Sequence, residues 1–156
     1  EVVEDRRPVV KIFGEPLDYN TCSSIPVIIS STVKYFEKNG VEHEGLFRIS
    51  GAASEMKHWM TEFECGTTEF TKETDVHVIA SLLKQYLRDM PNPLIPEEFY
   101  SDFIHVGSLS KDAPTFIAAM KGTLQRMPEM FRIIFKYLIT FLRMVSLKAD
   151  INKMTP

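Results

Sequence analysis

Apolar residues recur every three to four positions along most of the chain, and no segment sustains the period-two alternation of a half-buried strand. Ile25, Ile29, Val33 and Phe36 share one helical face, in a segment that starts near Ser24, carries Pro26 in its first turn and stops at Asn39 and Gly40. A second helix with Met56, Met60 and Phe63 on its buried side, and Trp59 alongside, is expected to be capped by Ser50 or Ser54 and to end at Gly66. Thr74 or Asp75 then caps a strongly periodic helix whose wide apolar face is Val76, Ile79, Leu82, Leu83, Tyr86 and Leu87. The run from Met90 to Pro96 holds three prolines and breaks it. Glu97 to Val106 predicts a short helix with Phe99, Phe103 and Ile104, followed by a linker at Gly107 and Ser108. Ser110 is the cap candidate for the next helix, whose stripe is Phe116 or Ile117, Met120, Leu124 and Met127. Pro128 opens the last one, with Ile134, Leu138, Phe141 and Val145 in register, and Asp150 to Pro156 reads as loop or as the start of a further element. The fold class is therefore all-α, a helical bundle of about six helices.

Ahead of these helices, Glu1 to Pro8 is a charged lead-in, Val9 to Gly14 a short extended anchor, and Glu15 to Ser24 a polar loop. One interruption stands out between the first two helices. In Gly45-Leu46-Phe47-Arg48-Ile49-Ser50-Gly51 a single arginine lies among bulky apolar residues, bracketed by glycines. Leu46, Phe47 and Ile49 are expected to turn inward and the glycines to let the backbone turn, which leaves the Arg48 guanidinium facing out. By pattern alone most such charges only solvate a surface. The sharper reading is a cation held against a phosphoryl group during its transfer. Lys84 and Arg88, four residues apart, share one face of the third helix away from its apolar stripe. That is either a solvated surface or a partner site.

Composition narrows the choice. The 156 residues suit one domain, with 44% hydrophobic and 25% charged residues, as in ordinary globular chains. A net charge of -3 disfavours a nucleic-acid partner. Cys22 and Cys65 lie far apart, and His43, His58, His77 and His105 show no metal-ligand spacing, so neither a zinc site nor a disulfide framework is expected. Two isolated cysteines suit a reducing, cytoplasmic compartment. The apolar stretch from Phe131 to Leu147 is interrupted by Arg132, Lys136 and Arg143, which argues against a membrane span. No Ser/His/Asp or Cys/His arrangement, phosphate loop or carboxylate pair points to a self-contained hydrolase.

Taken in order, the motifs resemble those of the RhoGAP domain, the GTPase-activating module for Rho-family small GTPases. Phe13-Gly14-Glu15-Pro16-Leu17 is similar to that family's opening motif, and Ile25-Pro26 to the residues before its first helix. Glu44 to Gly51 is similar to its finger loop, with Arg48 at the finger position. Leu82-Leu83-Lys84-Gln85-Tyr86-Leu87-Arg88-Asp89-Met90-Pro91-Asn92-Pro93-Leu94-Ile95-Pro96 is similar to its helix-and-proline signature, and Asn152-Lys153-Met154-Thr155 to the segment before its final catalytic helix. The helper asparagine that the family places beyond that segment has no counterpart before Pro156, and Phe131 stands where the family often has another asparagine.

The resemblance implies a division into a lead-in over residues 1–12 and a RhoGAP-like domain over 13–156 that lacks the family's C-terminal helices. It implies that Arg48 enters a partner's GTP site as an arginine finger, that Arg88 braces the finger loop through its backbone, and that Lys84 assists on the same partner-binding face. No cofactor of its own is implied, since GTP and magnesium belong to the partner. A monomer that binds a GTP-loaded Rho-family GTPase transiently, without strong membrane binding, is the expectation. The alternative is a non-catalytic module that holds or scaffolds the GTPase.

Overall fold

The computed structural model describes residues 9–18 and 23–155, and these form seven α-helices and one 3-10 turn with no strand among them. The expected lead-in over Glu1 to Pro8, Cys22 and part of the loop before Ser24 lie outside the described residues. Helix α1 (Val27–Asn39) buries Ile28, Ile29, Val33 and Phe36, and Pro26 sits at its N-cap rather than inside its first turn. Helix α2 (Ala53–Glu64) is capped by neither expected serine; Ala52 occupies that position and Ser54 lies inside the helix. Its far end closes as a Schellman motif, with the Gly66 amide donating to Phe63 O at 3.0 Å and the Thr67 amide to Glu62 O at 3.0 Å. In α3 (Val76–Asp89) the Asp75 side chain caps the first turn by accepting the His77 amide at 2.7 Å.

Helix α3 packs against both α1 and α2. Val78, Ile79, Leu82, Leu83 and Tyr86 are buried there, and Phe13 from the N-terminal anchor meets Tyr86 edge-on at 5.9 Å. The anchor is also tied to α2, because the Val10 amide donates to Glu64 O at 2.8 Å while the Val9 and Val10 side chains stay exposed.

After the proline break a 3-10 turn (Glu97–Phe99) leads into α4 (Tyr100–Ser108), which runs on through Gly107 and Ser108 where a linker was expected. Helix α5 (Ala113–Gln125) pairs with it, with Asp112 rather than Ser110 at the N-cap. These elements enclose a second, smaller core of Phe99, Met127 and Phe131, onto which Phe103, Leu124 and Phe135 pack. Arg126 closes its edge by an ion pair to Asp102 at 2.7 Å and by lying over the Phe99 ring. Phe131 is fully buried and stacks on Phe135 at 5.5 Å, so an apolar ring suits this position.

Helix α6 (Glu129–Ser146) joins the two cores, placing Phe131 in the small one and Ile134, Leu138, Phe141 and Val145 in the large one. The segment read as loop after it contains one more turn of helix, α7 (Ala149–Asn152). No described helix is long and apolar enough to cross a membrane. Phe36 and Phe141 stack at 5.8 Å and so join α1 to α6 at the centre of the large core. Replacing Phe36 by alanine should lower the unfolding free energy by about 3–5 kcal/mol, the usual cost of such a cavity. Urea unfolding with an unchanged m-value should show the midpoint fall accordingly.

Candidate functional site

The Arg48 loop lies over the junction of α1, α3 and α6. Leu46 is its plug, with no exposed surface. Phe47 is half-buried and its ring meets Phe141 at 5.8 Å and Phe36 at 6.3 Å, so an aromatic trio underlies the loop. Ile49 departs from the expectation: it is 47% exposed, because Leu46 and Phe47 already fill the inward space. Arg48 is exposed, as expected.

The two bracketing glycines serve different needs. Gly45 has φ +71, a conformation that side chains rarely adopt. Its amide donates to Asn152 O at 2.8 Å, and its own carbonyl accepts the amides of Arg48 and Ile49, each at 2.8 Å. Gly51 needs no unusual φ; a Cβ there would lie 2.4 Å from Val78 Cα, so glycine lets the loop press directly on the first turn of α3.

Between them Phe47 adopts φ 68, a left-handed conformation that costs an ordinary residue about 1–3 kcal/mol. Its carbonyl accepts from Lys84 Nζ at 2.7 Å, a charge-assisted bond that holds the strained unit to α3. The brace anticipated from Arg88 is thus supplied by Lys84. Arg88 is exposed one turn further along, and among the described residues no hydrogen bond ties it to the loop. On the other side of Arg48, the Gly51 amide donates to Ser81 Oγ at 3.0 Å.

Beneath the loop's leading end sits Asn152, a buried polar residue with no exposed surface. Its Nδ2 donates to Val41 O at 3.0 Å and to Val145 O at 2.8 Å, while its Oδ1 accepts the Met154 amide at 2.8 Å. One side chain therefore joins the approach to the loop, the end of α6 and the turn after α7. Lys153, the next residue, is left-handed at φ 61, so both non-glycine residues of positive φ among those described lie at this site. Glu42 adds a link nearby: it pairs with Lys148 at 3.0 Å and accepts the Val41 amide at 2.9 Å. The hydrogen bond from Lys148 and the backbone amides hold its carboxyl below its ordinary range. The link from Ser81 to Gly51 and that from Asn152 to Val41 carry no local signal, since these partners lie 30 and 111 residues away in sequence.

Among the described residues no three His, Cys, Asp or Glu side chains gather in a way that holds a metal ion. What the arrangement offers is an exposed cation, Arg48, on a backbone held to α3 on both sides. Such an arrangement suits chemistry in which a charge is delivered to a substrate held elsewhere.

Comparison with known proteins agrees with this geometry. The family profile described as RhoGAP domain matches residues 26–156. The chain is 35% identical over 149 residues to Rho GTPase-activating protein gacY of Dictyostelium discoideum, covering 92% of this chain and 21% of that protein. It is 35% identical over 132 residues to human Rho GTPase-activating protein 24, covering 83% and 18% respectively. Its structure is similar to that of human Rho GTPase activating protein 15, with a TM-score of 0.83, 26% identity and coverage of 95% and 72%. The chain thus spans about a fifth of the length of these curated relatives.

Two outcomes follow. Asn152→Ala takes its partner from the Val41 carbonyl and the Met154 amide, while the Val145 carbonyl keeps the Lys148 amide at 3.1 Å, and should cost about 2–3 kcal/mol of stability in chemical denaturation. Glu42→Gln tests the charged link. A depressed carboxyl pKa stabilises the fold above the carboxyl's unfolded pKa, and that contribution is lost as pH falls through the folded value. The variant should therefore be less stable than the parent near neutrality, and the difference should shrink towards the acid end of a pH series.

Proposed function

The chain belongs to the RhoGAP domain family, and from that membership we propose that it stimulates GTP hydrolysis by a Rho-family small GTPase, with Arg48 as an arginine finger supplied in trans. The observation that carries the proposal is Arg48 itself, exposed at the top of a loop whose backbone is held on both sides by α3. GTP hydrolysis needs charge stabilisation and an oriented water more than covalent chemistry from the protein. The γ-phosphoryl oxygens gather negative charge as the bond to the leaving group lengthens. A guanidinium placed there by a preorganised loop stabilises that charge without reorganising.

Lys84 contributes by fixing the carbonyl that precedes Arg48, and Arg88, exposed on the same helix, is a contact for the partner. The GTP-bound form of the GTPase is the one recognised, since release of the GDP-bound product lets the domain act again. We place the domain in the cytoplasm as a monomer that needs no cofactor of its own and binds neither nucleic acid nor, strongly, a membrane.

Single-turnover hydrolysis by a panel of Rho-family and Ras-family GTPases tests the reading. Stimulation should be confined to Rho-type members. Arg48→Ala should lower it by on the order of 10³ or more, as arginine fingers do in GAP-assisted GTPases generally, while binding of the GTP-loaded partner persists. Binding without stimulation by the unmodified chain would instead identify a non-catalytic GTPase-holding module.

A further inference from the structure

The backbone that carries Arg48 is fixed at two points on one helix, and the second of them has no assigned purpose. Lys84 takes the carbonyl of Phe47, just before Arg48; Ser81 takes the amide of Gly51, three residues after it. The two anchors lie three residues apart on α3 and share one face of it. Lys84 is a long side chain with several free torsions. Ser81 is short, only 6% exposed, and set among Val78 and Leu82 on the face that enters the core. A hydroxyl in that position is costly unless it has a partner, and here the partner is the loop.

The close approach at Gly51 makes the geometry stringent. With no Cβ, Gly51 rests on Val78 within a distance that any other residue would violate, which brings its amide within 3.0 Å of Ser81 Oγ. Arg48, Ile49 and Ser50, all exposed, span the gap between the anchors and have no other hold on α3 among the hydrogen bonds described. Were the trailing end released, the arch would be held at its leading end alone, by Lys84 and by the Gly45 carbonyl that accepts the Arg48 and Ile49 amides, and would swing about that end and carry the Arg48 side chain with it.

We propose that Ser81 is a positioning residue for the activation reaction, setting the height and direction of Arg48 by hydrogen-bonding the Gly51 amide. The inference rests on the arginine-finger reading above. A hydroxyl acting this way affects the rate within the complex and leaves the strength of docking alone, since Ser81 is too buried to meet a partner surface.

The test is Ser81→Ala, which removes one oxygen and suits a helix better than serine does, so the fold should persist. With a responsive Rho-family GTPase loaded with GTP as substrate, kcat should fall about 3- to 10-fold while KM stays within about twofold, the scale of one hydrogen bond. Hydrogen exchange at the Gly51 amide should accelerate in the same variant, a measurement that needs no GTPase. Ser81→Thr keeps the oxygen and should restore both. An S81A chain with the parent's kcat, in an assay where R48A has lost stimulation, would overturn the role of Ser81 alone. Unchanged Gly51 exchange, or a threonine variant as impaired as alanine, would overturn it as well. Full stimulation by R48A would overturn the finger and this inference together.

Discussion

A backbone amide or carbonyl removed from water has to find another partner, and around Arg48 that requirement is met by groups from distant parts of the chain. Gly45 gives its amide to the main chain of Asn152, Phe47 its carbonyl to Lys84, and Gly51 its amide to Ser81. Asn152 in turn takes the carbonyls of Val41 and Val145. A loop this short between two helices could satisfy the same groups with water and remain supple. Tying them to α3 and to the turn after α7 makes the loop part of the packed interior while its arginine stays outside. The left-handed Phe47 persists because its ring is packed against Phe36 and Phe141 and its carbonyl is held by a cation.

The helices of the large core were largely legible because α1, α3 and α6 each bury a stripe. All four residues expected on the inner face of α6, Ile134, Leu138, Phe141 and Val145, are buried, and Asp75 caps α3 as its position suggests. The start of α2 was not legible, and the reason is tertiary. The residue before its cap, Gly51, is pressed onto Val78 and bonded to Ser81, so the chain enters the helix at Ala52 whatever Ser50 and Ser54 prefer. Lys84 and Arg88 show the same limit at finer scale. They share a face but stand about one helical turn, or roughly 5.4 Å, apart along it. Which of them meets the loop is decided by the axial position of α3 against it, and no local pattern encodes that. The loop was readable as a device by its glycines and its lone arginine; its supports were not.

The two cores have different consequences for the site. Every aromatic beneath the Arg48 loop belongs to the large core or packs on it, whereas Phe99, Met127 and Phe131 form a satellite joined to that core by α6 and by the segment after α3, where Leu94 packs on the large core and Ile95 on the small one. Disturbance in α4 or α5 reaches what lies under Phe47 along α6 from Phe131 to Phe141, or through Ile95 and Leu94 after α3. Among the hydrogen bonds described none joins α4 or α5 to the Arg48 loop, so the satellite presents its exposed Tyr100 and Ile104 to solvent apart from the groups that hold the arginine.

Under the proposed arginine-finger role, the same arrangement separates strength of docking from rate. An arginine that merely contacted a partner would gain little from a rigid backbone, because an exposed ion pair in high dielectric contributes about 1 kcal/mol or less wherever its long side chain finds its mate. A charge that must meet a phosphoryl group only as negative charge builds there gains from every restriction imposed beforehand, since misplacement by about 1 Å can cost 10²-fold in rate. Strain at Phe47, a glycine chosen for its close approach to α3, and a fully buried asparagine have little use in a surface that only binds. Together they suit a loop whose task is to aim.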